Sequence, residues 1–202
     1  MNVKIYVEGG GDAQALRTRC RRGFAQFFER AGFRGRMPAI VACGNRNDAY
    51  SSFKKAATHA GDDDFPVLLV DSEEEVSEDE AWNHLKARDN WQRPEPAEEN
   101  QAHLMVQCME SWFLADRQSL AAYFGAGFTE NPLPGDPNIE QIDKSNVFQA
   151  LKMASRNART KGEYRKGKHS FEILGGLDPD KVRAASKHAD NMLTTLEEKC
   201  QP

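Results

Sequence analysis

The stretch Val3-Lys4-Ile5-Tyr6-Val7-Glu8-Gly9-Gly10-Gly11-Asp12 decides both the fold and the position of the candidate site. Its first five residues are mostly β-branched or aromatic, which is typical of a short buried strand. The strand runs into a carboxylate, three glycines and a second carboxylate, and a helical pattern follows from about Asp12 to Ala31. Asp12 suits the N-cap of that helix. Glu8 is thereby placed at the carboxyl end of a strand, where open α/β sheets bind their ligands.

Three further strands are predicted, over residues 38–43, 66–70 and 103–107, with helices between them. The run Pro66–Val70 is apolar throughout, which favours an interior parallel strand covered on both faces. Ser77 and Glu80 have the spacing of a capping box and predict a helix that ends near Arg88. This order of elements predicts an α/β fold with a mostly parallel, Rossmann-like sheet, flanking helices and a helical C-terminal appendage.

A break in the pattern between Gly125 and Asp143, rich in proline and glycine, predicts a surface loop or a domain boundary. Beyond it, helices are predicted over residues 145–160, 169–174 and 178–199. We therefore divide the chain into a core at residues 1–125 and a loop with a helical appendage at residues 126–202.

Composition excludes several classes of protein. The 202-residue chain has a formal net charge of −4, with 29% charged and 39% hydrophobic residues. No apolar run approaches the length of about 18 residues that a membrane span needs, and no signal peptide is visible. The four cysteines are far apart and form no CxxC pair, which indicates reduced thiols. The sequence therefore predicts a cytoplasmic protein without a membrane segment.

The charges are segregated along the chain. Residues 61–80 are strongly acidic and contain no lysine or arginine, whereas residues 17–36 and 152–168 are strongly basic. Two basic segments that flank an acidic one suggest a polyanion held near a cation site. The alternative is that these charges are the solvated faces of surface helices.

Carboxylates follow three of the predicted strands, as Glu8, Asp71 and Glu110. Right-handed crossovers place the ends of these strands at one edge of the sheet. Asp71 and Glu73 are two residues apart and can both turn toward one ion. Gathered carboxylates repel each other unless a hard cation neutralises them, and Mg²⁺ prefers oxygen ligands. The sequence predicts a Mg²⁺ site, with Mn²⁺ as the alternative ion. The interpretation that stays open is a solvated acidic loop, in which Glu110 only favours the N-terminus of a helix.

The segments Glu8-Gly9-Gly10-Gly11-Asp12 and Asp71-Ser72-Glu73 resemble the Toprim domain, which topoisomerases, bacterial primases and the overcoming-lysogenization-defect nucleases share. The resemblance implies that Glu8 assists proton transfer and that Asp71 and Glu73 bind Mg²⁺. The Glu8-to-Asp12 spacing is similar to the nuclease branch, which implies that Asp12 also helps to bind metal. Glu73 stands where many members have aspartate, so the carboxylate is kept on a longer arm.

Three later segments resemble a family of small Toprim-like proteins: 109–116 (MESWFLAD), 166–171 (KGKHSF) and 178–182 (DPDKV). This resemblance implies an effector nuclease that works beside a separate ATPase in bacterial defence against phage. The chain contains no GxxxxGK[ST] motif, so the resemblance leaves ATP to the partner.

The basic residues supply candidates for contacts with nucleic acid. Contact with the scissile phosphate is predicted for Lys166, Lys168 and His169, and Lys168 and His169 are the catalytic candidates beside Glu8. A basic turn without such a role is the alternative. Candidates for binding the nucleic-acid backbone lie on the first helix and on the turn at 161–168: Arg17, Arg21, Lys161, Arg165 and Lys166.

These features together predict a Mg²⁺-dependent Toprim-type nuclease that acts on DNA or RNA. Two alternatives stay open: another phosphotransfer enzyme, and a non-catalytic metal-binding subunit that regulates a partner ATPase. A homodimer is also left open.

Overall fold

The protein is described by a computed structural model that covers residues 1–77 and 80–201. In this part of the chain four strands form one sheet: β1 (Asn2–Gly10), β2 (Ala39–Gly44), β3 (Asp64–Asp71) and β4 (Ala102–Met105). Their order is β2-β1-β3-β4, and every pair is parallel. The predicted α/β fold with a parallel sheet and C-terminal helices is confirmed.

The sheet is covered by helices on both faces. The chain leaves β1 for β2 on one side and then returns to form β3 on the other side of β1, so the helices after β1 and β2 lie on opposite faces. On one face, Ile5 and Val7 pack with Phe24 of α1 (Gln14–Phe28). On the other, Leu68 and Val70 pack with α2 (Arg46–Thr58) and α3 (Ala81–Asp89). This double cover explains why β3 is apolar throughout.

The remaining α-helices follow β4. A 3₁₀ helix at Met109–Ala115 leads into α4 (Arg117–Phe124), and α5 (Lys144–Ser155) begins after the predicted proline-rich loop. The C-terminal helices are α6 (Ser170–Leu174), α7 (Pro179–Ala185) and α8 (Lys187–Lys199). Short turns of other helix types occur at Glu29–Phe33, Glu99–Gln101 and Ile139–Gln141.

Several predicted element ends were wrong. Ala13, and not Asp12, is the N-cap of α1, and it makes no side-chain capping bond. The helix predicted from Ser77 begins at Ala81, and its N-cap Glu80 makes no side-chain capping bond. Glu78 and Asp79 of that predicted helix lie outside the described residues. The helical region predicted over 178–199 consists of two helices, because Ser186 ends α7 and its side chain caps the backbone N–H of Ala189 in α8.

The two predicted parts of the chain share one hydrophobic core. It contains Val7 and Phe27 from the first part together with Leu151, Phe171 and Leu196 from the second. Helix α6 packs against α1, and α8 packs against β4. All four cysteines are buried free thiols. Among the described residues, no helix has both the length and the apolar character needed to cross a membrane.

Candidate metal centre

Three carboxylates meet at the carboxyl ends of β1 and β3. Glu8 lies near the end of β1, Asp71 is the last residue of β3, and Glu73 follows two residues later. One side-chain oxygen from each lies within 4.8 Å of the others. The backbone N–H of Asp71 also donates to Oε2 of Glu8 at 3.3 Å. After β1 the chain continues to one side of the sheet, and after the neighbouring strand β3 it continues to the other side. Such a point, where the strand order reverses, is where open α/β sheets bind ligands.

The glycine-rich loop after Glu8 packs tightly against α1. Gly10 has φ +87°, and a Cβ there would lie 2.7 Å from Cα of Arg17, so only glycine fits without displacement. The guanidinium of Arg17 donates through Nε to the carbonyl of Gly11 at 2.9 Å. Arg17, predicted to bind nucleic acid, therefore holds the loop in place.

The segment after β3 is fixed by the chain that follows β4. The N–H of Met109 donates to Oδ1 of Asp71 at 2.8 Å, and the side chain of Asp71 is buried. The N–H of Glu73 donates to the carbonyl of Gln107 at 2.8 Å. Glu73 has φ +71°, a left-handed conformation that costs energy in a residue with a side chain. The surrounding bonds thus keep Glu73 in a strained conformation that turns its carboxylate toward Glu8 and Asp71.

Glu110 is a fourth carboxylate beside these three, and it is completely buried. Its Oε1 accepts hydrogen bonds from the hydroxyls of Tyr164 at 2.9 Å and Ser170 at 3.1 Å. Its Oε2 has no hydrogen-bond partner in the described part of the chain. A buried carboxylate oxygen without a donor is costly, and the positive charge nearest to this atom is the ammonium of Lys166, 3.9 Å away.

Three basic side chains partly neutralise the carboxylates. Nζ of Lys144 lies 2.6 Å from Oε1 of Glu73 and 3.7 Å from Oδ2 of Asp71. Nζ of Lys166 lies between Asp71, at 4.0 Å, and Oε2 of Glu110, at 3.9 Å.

Arg46 lies on the side of Glu8. Its Nη1 is 3.6 Å from Oε2 of Glu8, and the same atom donates to the backbone carbonyl of Asp71. Its Nε and Nη2 donate to the carboxylate of Asp89 at 3.1 Å and 2.5 Å, and the guanidinium lies 4.9 Å from the centre of the Trp91 ring. These contacts fix the position of Arg46 beside Glu8.

The protonation of the cluster reflects burial and mutual repulsion. Burial, and then the charges of Glu8 and Glu110, raise the pKa of Asp71 to about 7. Burial also raises the pKa of Glu8 against the opposing charge of Arg46. Burial alone would raise the pKa of Glu73, but the hydrogen bond and charge of Lys144 lower it below its ordinary value. Burial and mutual repulsion thus favour the protonated forms of Asp71 and Glu8, whereas the ion pair with Lys144 favours the ionised form of Glu73.

A cavity of about 220 Å³ opens over the cluster. Glu8, Asp71, Glu110 and Lys166 line it together with the glycine-rich loop and Phe171. The cavity can hold a small group bound to these carboxylates.

Other predicted site residues lie elsewhere. Asp12 is exposed and is not among the carboxylates brought together at Glu8. His169 is buried among the rings of Tyr123, Phe124 and Tyr164, and its Nδ1 accepts from the backbone N–H of Arg165 at 3.1 Å. Neither His169 nor the exposed Lys168 belongs to the described lining of the cavity.

The predicted backbone-binding residues divide in the same way. Lys166 lines the cavity. Arg21 donates to the hydroxyl of Thr18 at 3.2 Å, and Lys161 pairs with Glu172 at 3.2 Å. The side chain of Arg165 is exposed. Nucleic-acid binding by these four residues and by Arg17 stays a prediction.

Sequence reasoning missed Arg46 and Lys144. Arg46 follows the carboxyl end of β2, and position at a strand end is also the signal that located Glu8. The same signal could therefore have placed Arg46 at the site. Lys144 lies 71 positions after Glu73 on a helix that follows an irregular loop, and no local pattern links the two residues.

A family model for a domain of unknown function (DUF4276) matches residues 7–197. The chain belongs to this family. The matched range of the DUF4276 domain begins directly before Glu8 and includes all four carboxylates and all three basic groups of the cluster. Comparisons with curated proteins and with solved structures gave no significant match.

The donor set of this DUF4276 site fits a hard divalent cation. Glu8, Asp71 and Glu73 offer carboxylate oxygens within 4.8 Å of one another, and Glu110 contributes a buried oxygen without a donor. Oxygen ligands of this kind suit Mg²⁺ and Mn²⁺, whereas softer ions prefer nitrogen and sulfur.

Proposed function

We propose that this chain is a metal-dependent phosphodiesterase that cleaves nucleic acid, with the chemistry of the Toprim nucleases that its sequence resembles. The observation that carries the proposal is the meeting of Glu8, Asp71 and Glu73 within 4.8 Å at the switch point of a parallel sheet. Carboxylates that are held this close repel each other, and a bound cation removes the repulsion. Their meeting at two strand ends is therefore more typical of a metal site than of a solvated surface.

The proposed ligands are Glu8, Asp71 and Glu73, with Glu110 beside them, and the proposed ion is Mg²⁺ or Mn²⁺. A divalent ion bound there would polarise a phosphoryl oxygen and lower the pKa of a bound water.

The chain's own groups supply the other functions. Oε2 of Glu8 already accepts from the N–H of Asp71, so Oε1 is the atom at which Glu8 takes up or returns a proton. Burial is the main cause of the raised pKa of Glu8, and a raised pKa favours proton uptake by this carboxylate. Lys166 is 57% exposed and reaches the cavity from its rim, where its ammonium can hold a phosphate oxygen.

A separate ATPase is the proposed partner, and defence against phage the proposed setting. The support is the resemblance of segments 109–116, 166–171 and 178–182 to small Toprim-like proteins of this kind.

The test is cleavage of labelled single- and double-stranded DNA and RNA in Mg²⁺, in Mn²⁺ and in EDTA. We expect cleavage by the wild type that needs the metal, and a loss of roughly 100-fold or more in Glu8→Gln and Asp71→Asn, since each removes a charge from the centre. Glu130→Gln, at an exposed position outside the cavity lining, is the matched control. Cleavage that persists in EDTA, or in Asp71→Asn, would contradict the proposal.

A second candidate is a non-catalytic subunit that binds metal and regulates a partner ATPase. It is favoured by the positions of Lys168 and His169, the predicted catalytic residues beside Glu8, since neither belongs to the described lining of the cavity over the carboxylates. Saturable Mg²⁺ binding in calorimetry, without cleavage of any substrate in the presence of the ATPase, would select this second function.

A further inference from the structure

A groove lies between α1 and α6, next to the cavity over the carboxylates. It has a volume of about 370 Å³. The residues that line it are Arg19, Arg22, Gly23 and Gln26 of α1 together with Phe171 and Glu172 of α6. We call it the α1–α6 groove.

The α1–α6 groove is continuous with the cavity at the metal centre. Phe171 belongs to the lining of both. On α1, Leu16 lines the cavity, and Arg19 and Gly23 follow it in the groove at the spacing of one helix face. The same two helices therefore form one depression that begins at the carboxylates and continues along α1.

Close packing of the two helices fixes the shape of the groove. A Cβ at Gly23 would lie 2.5 Å from the backbone carbonyl oxygen of Phe171, so the helix backbones meet there without an intervening side chain. Arg19 lies about one helical turn before this contact, and Arg22 is next to it. Both arginine side chains are exposed. They are thus carried on a rigid α-helix at a fixed place beside Phe171.

The α1–α6 groove is positively charged. Neither Arg19 nor Arg22 has an ion-pair partner in the part of the chain that the structure describes. Glu172 brings a carboxylate to the lining, but its Oε2 accepts from the hydroxyl of Tyr123 at 2.8 Å and pairs with Lys161 at 3.2 Å. Since Lys161 offsets the charge of Glu172, the charges of the two arginines are left for a ligand.

The other two arginines near the start of α1 have different contacts. Arg17 donates to the backbone carbonyl of Gly11, and Arg21 donates to the hydroxyl of Thr18. Neither Arg17 nor Arg21 belongs to the described lining of the groove. The position of α6, which the local sequence of α1 does not contain, therefore distinguishes Arg19 and Arg22 from their neighbours.

We propose that the α1–α6 groove holds the nucleic-acid backbone next to the scissile phosphate, with Arg19 and Arg22 on its phosphates. This inference rests on the proposed nuclease function. A guanidinium can bind a phosphate through two parallel N–H bonds. A nucleic acid fits better than an acidic protein, because the groove opens into the cavity in which the proposed reaction places a phosphodiester.

The length of the groove agrees with this ligand. Arg22 lies about 9 Å farther along the axis of α1 than Leu16, which lines the metal cavity. The phosphates of one strand follow each other every ~3.4 Å along a duplex axis. The two arginines are therefore within reach of the phosphates that directly adjoin the scissile one.

The test compares two double variants that each remove two positive charges. Arg19→Gln with Arg22→Gln changes the groove. Lys54→Gln with Lys55→Gln is the matched control, at exposed positions of α2 on the opposite face of the sheet. Fluorescence anisotropy in EDTA measures the binding of a labelled single-stranded oligonucleotide and of its duplex at several salt concentrations.

We expect the groove variant to bind about tenfold or more weakly at ~0.1 M salt, because two phosphate contacts are lost. The slope of log affinity against log salt concentration should become shallower by about 1.5 for the same reason. The control should bind as the wild type does. Arg19→Lys with Arg22→Lys should keep most of the affinity, since lysine keeps the charge that attracts phosphate.

A small diester separates this proposal from the nuclease function. Bis(p-nitrophenyl) phosphate reaches the metal cavity without extending into the groove. The glutamine variant of the groove should hydrolyse it in Mn²⁺ at the wild-type rate, whereas its KM for an oligonucleotide should rise.

Unchanged oligonucleotide affinity in the glutamine variant of the groove, or an equal loss in the control, would overturn the proposal even if the wild type is a nuclease. A wild type that hydrolyses neither substrate would contradict the nuclease function instead, and binding in EDTA would still decide whether the groove holds nucleic acid.

Discussion

Asp71 shows at the residue scale how a buried carboxylate can oppose stability. Its raised pKa means that the ionised carboxylate is less favourable in the folded chain than in the unfolded one, in spite of Lys144 and Lys166. The folded chain therefore holds more protons between the ordinary value of 3.8 and about 7. Stability falls as the pH rises through this interval, and the full penalty applies above it.

We therefore expect Asp71→Asn to be at least as stable as the wild type at pH 8 without divalent metal. Asn can still accept the hydrogen bond from the N–H of Met109. As the pH rises from about 4 to 7, the stability of the variant should also fall less than that of the wild type. Thermal unfolding over this pH range measures both effects. A clearly lower Tm of the variant at pH 8 would show that the lysines outweigh the repulsion.

Lys144 competes with any cation for Glu73. Its removal should therefore raise the affinity for metal and lower the stability of the metal-free protein. In Lys144→Met the ion pair with Glu73 is lost, which should cost about 1 kcal/mol or less without metal. The Mg²⁺ affinity should rise about fivefold, since one positive charge near the ion is removed.

Calorimetry with Mg²⁺ and thermal unfolding in EDTA would measure the two changes in the Lys144→Met variant. The control is Lys152→Met, which removes an exposed lysine from the same helix. An unchanged Mg²⁺ affinity in Lys144→Met would mean that the ion does not bind at Glu73.

At the scale of elements, the local pattern predicted the sheet because each strand carries its own signal. The apolar run of β3 and the strand-glycine transition after β1 need no distant partner to be recognised. The parallel arrangement then brings Glu8 and Asp71 together through chain connectivity alone.

Element ends were less predictable, because tertiary contacts decide them. Ser186 divides the C-terminal helices, and its hydroxyl also donates to the buried Glu140, 46 residues earlier in the chain. Lys166 reaches Asp71 and Glu110 through a turn whose position depends on the packing of α6 on α1. No local pattern contains such contacts.

Asp116 joins two helices, α4 and α7, and its loss should destabilise both. Its carboxylate caps α4 through the N–H and hydroxyl of Ser119 at 3.3 Å and 2.5 Å. It also accepts from the N–H of Asp178 at 3.0 Å and from Lys181 at 2.7 Å, at the start of α7. We expect Asp116→Ala to lower the free energy of unfolding by about 2–3 kcal/mol, because several donors lose their acceptor.

The same residue predicts a pH effect. Burial would raise the pKa of Asp116, but hydrogen bonds from Lys181, Ser119 and Asp178 lower it below 3.8. The stability that it contributes is therefore present above pH 3.8 and is lost as the pH falls through the folded pKa. Urea unfolding at pH 7 and pH 3 should show a smaller difference in Asp116→Ala than in the wild type. Equal differences would remove Asp116 as a cause of acid sensitivity.

At the scale of the whole molecule, the candidate metal centre depends on both parts of the chain that the sequence separates at residue 125. Glu8, Asp71 and Glu110 come from the first part. Lys144 and Lys166, and the hydroxyls of Tyr164 and Ser170 that hold Glu110, come from the second. The core is shared in the same way, since Phe24, Phe27 and Trp112 lie in one cluster with Leu151, Phe171 and Leu193.

We therefore expect a chain of residues 1–125 to lack a cooperative thermal transition, although it contains the complete sheet. Truncation would expose the apolar face of α1 that α6 covers and would leave the buried Glu110 without its two hydroxyl donors. Calorimetry and near-ultraviolet circular dichroism of the fragment, alone and mixed with residues 126–202, measure this directly. The mixture should recover part of the transition, because the missing contacts are non-covalent. A fragment 1–125 that unfolds cooperatively by itself would instead establish residue 125 as a domain boundary and make residues 126–202 a separate appendage to the metal centre.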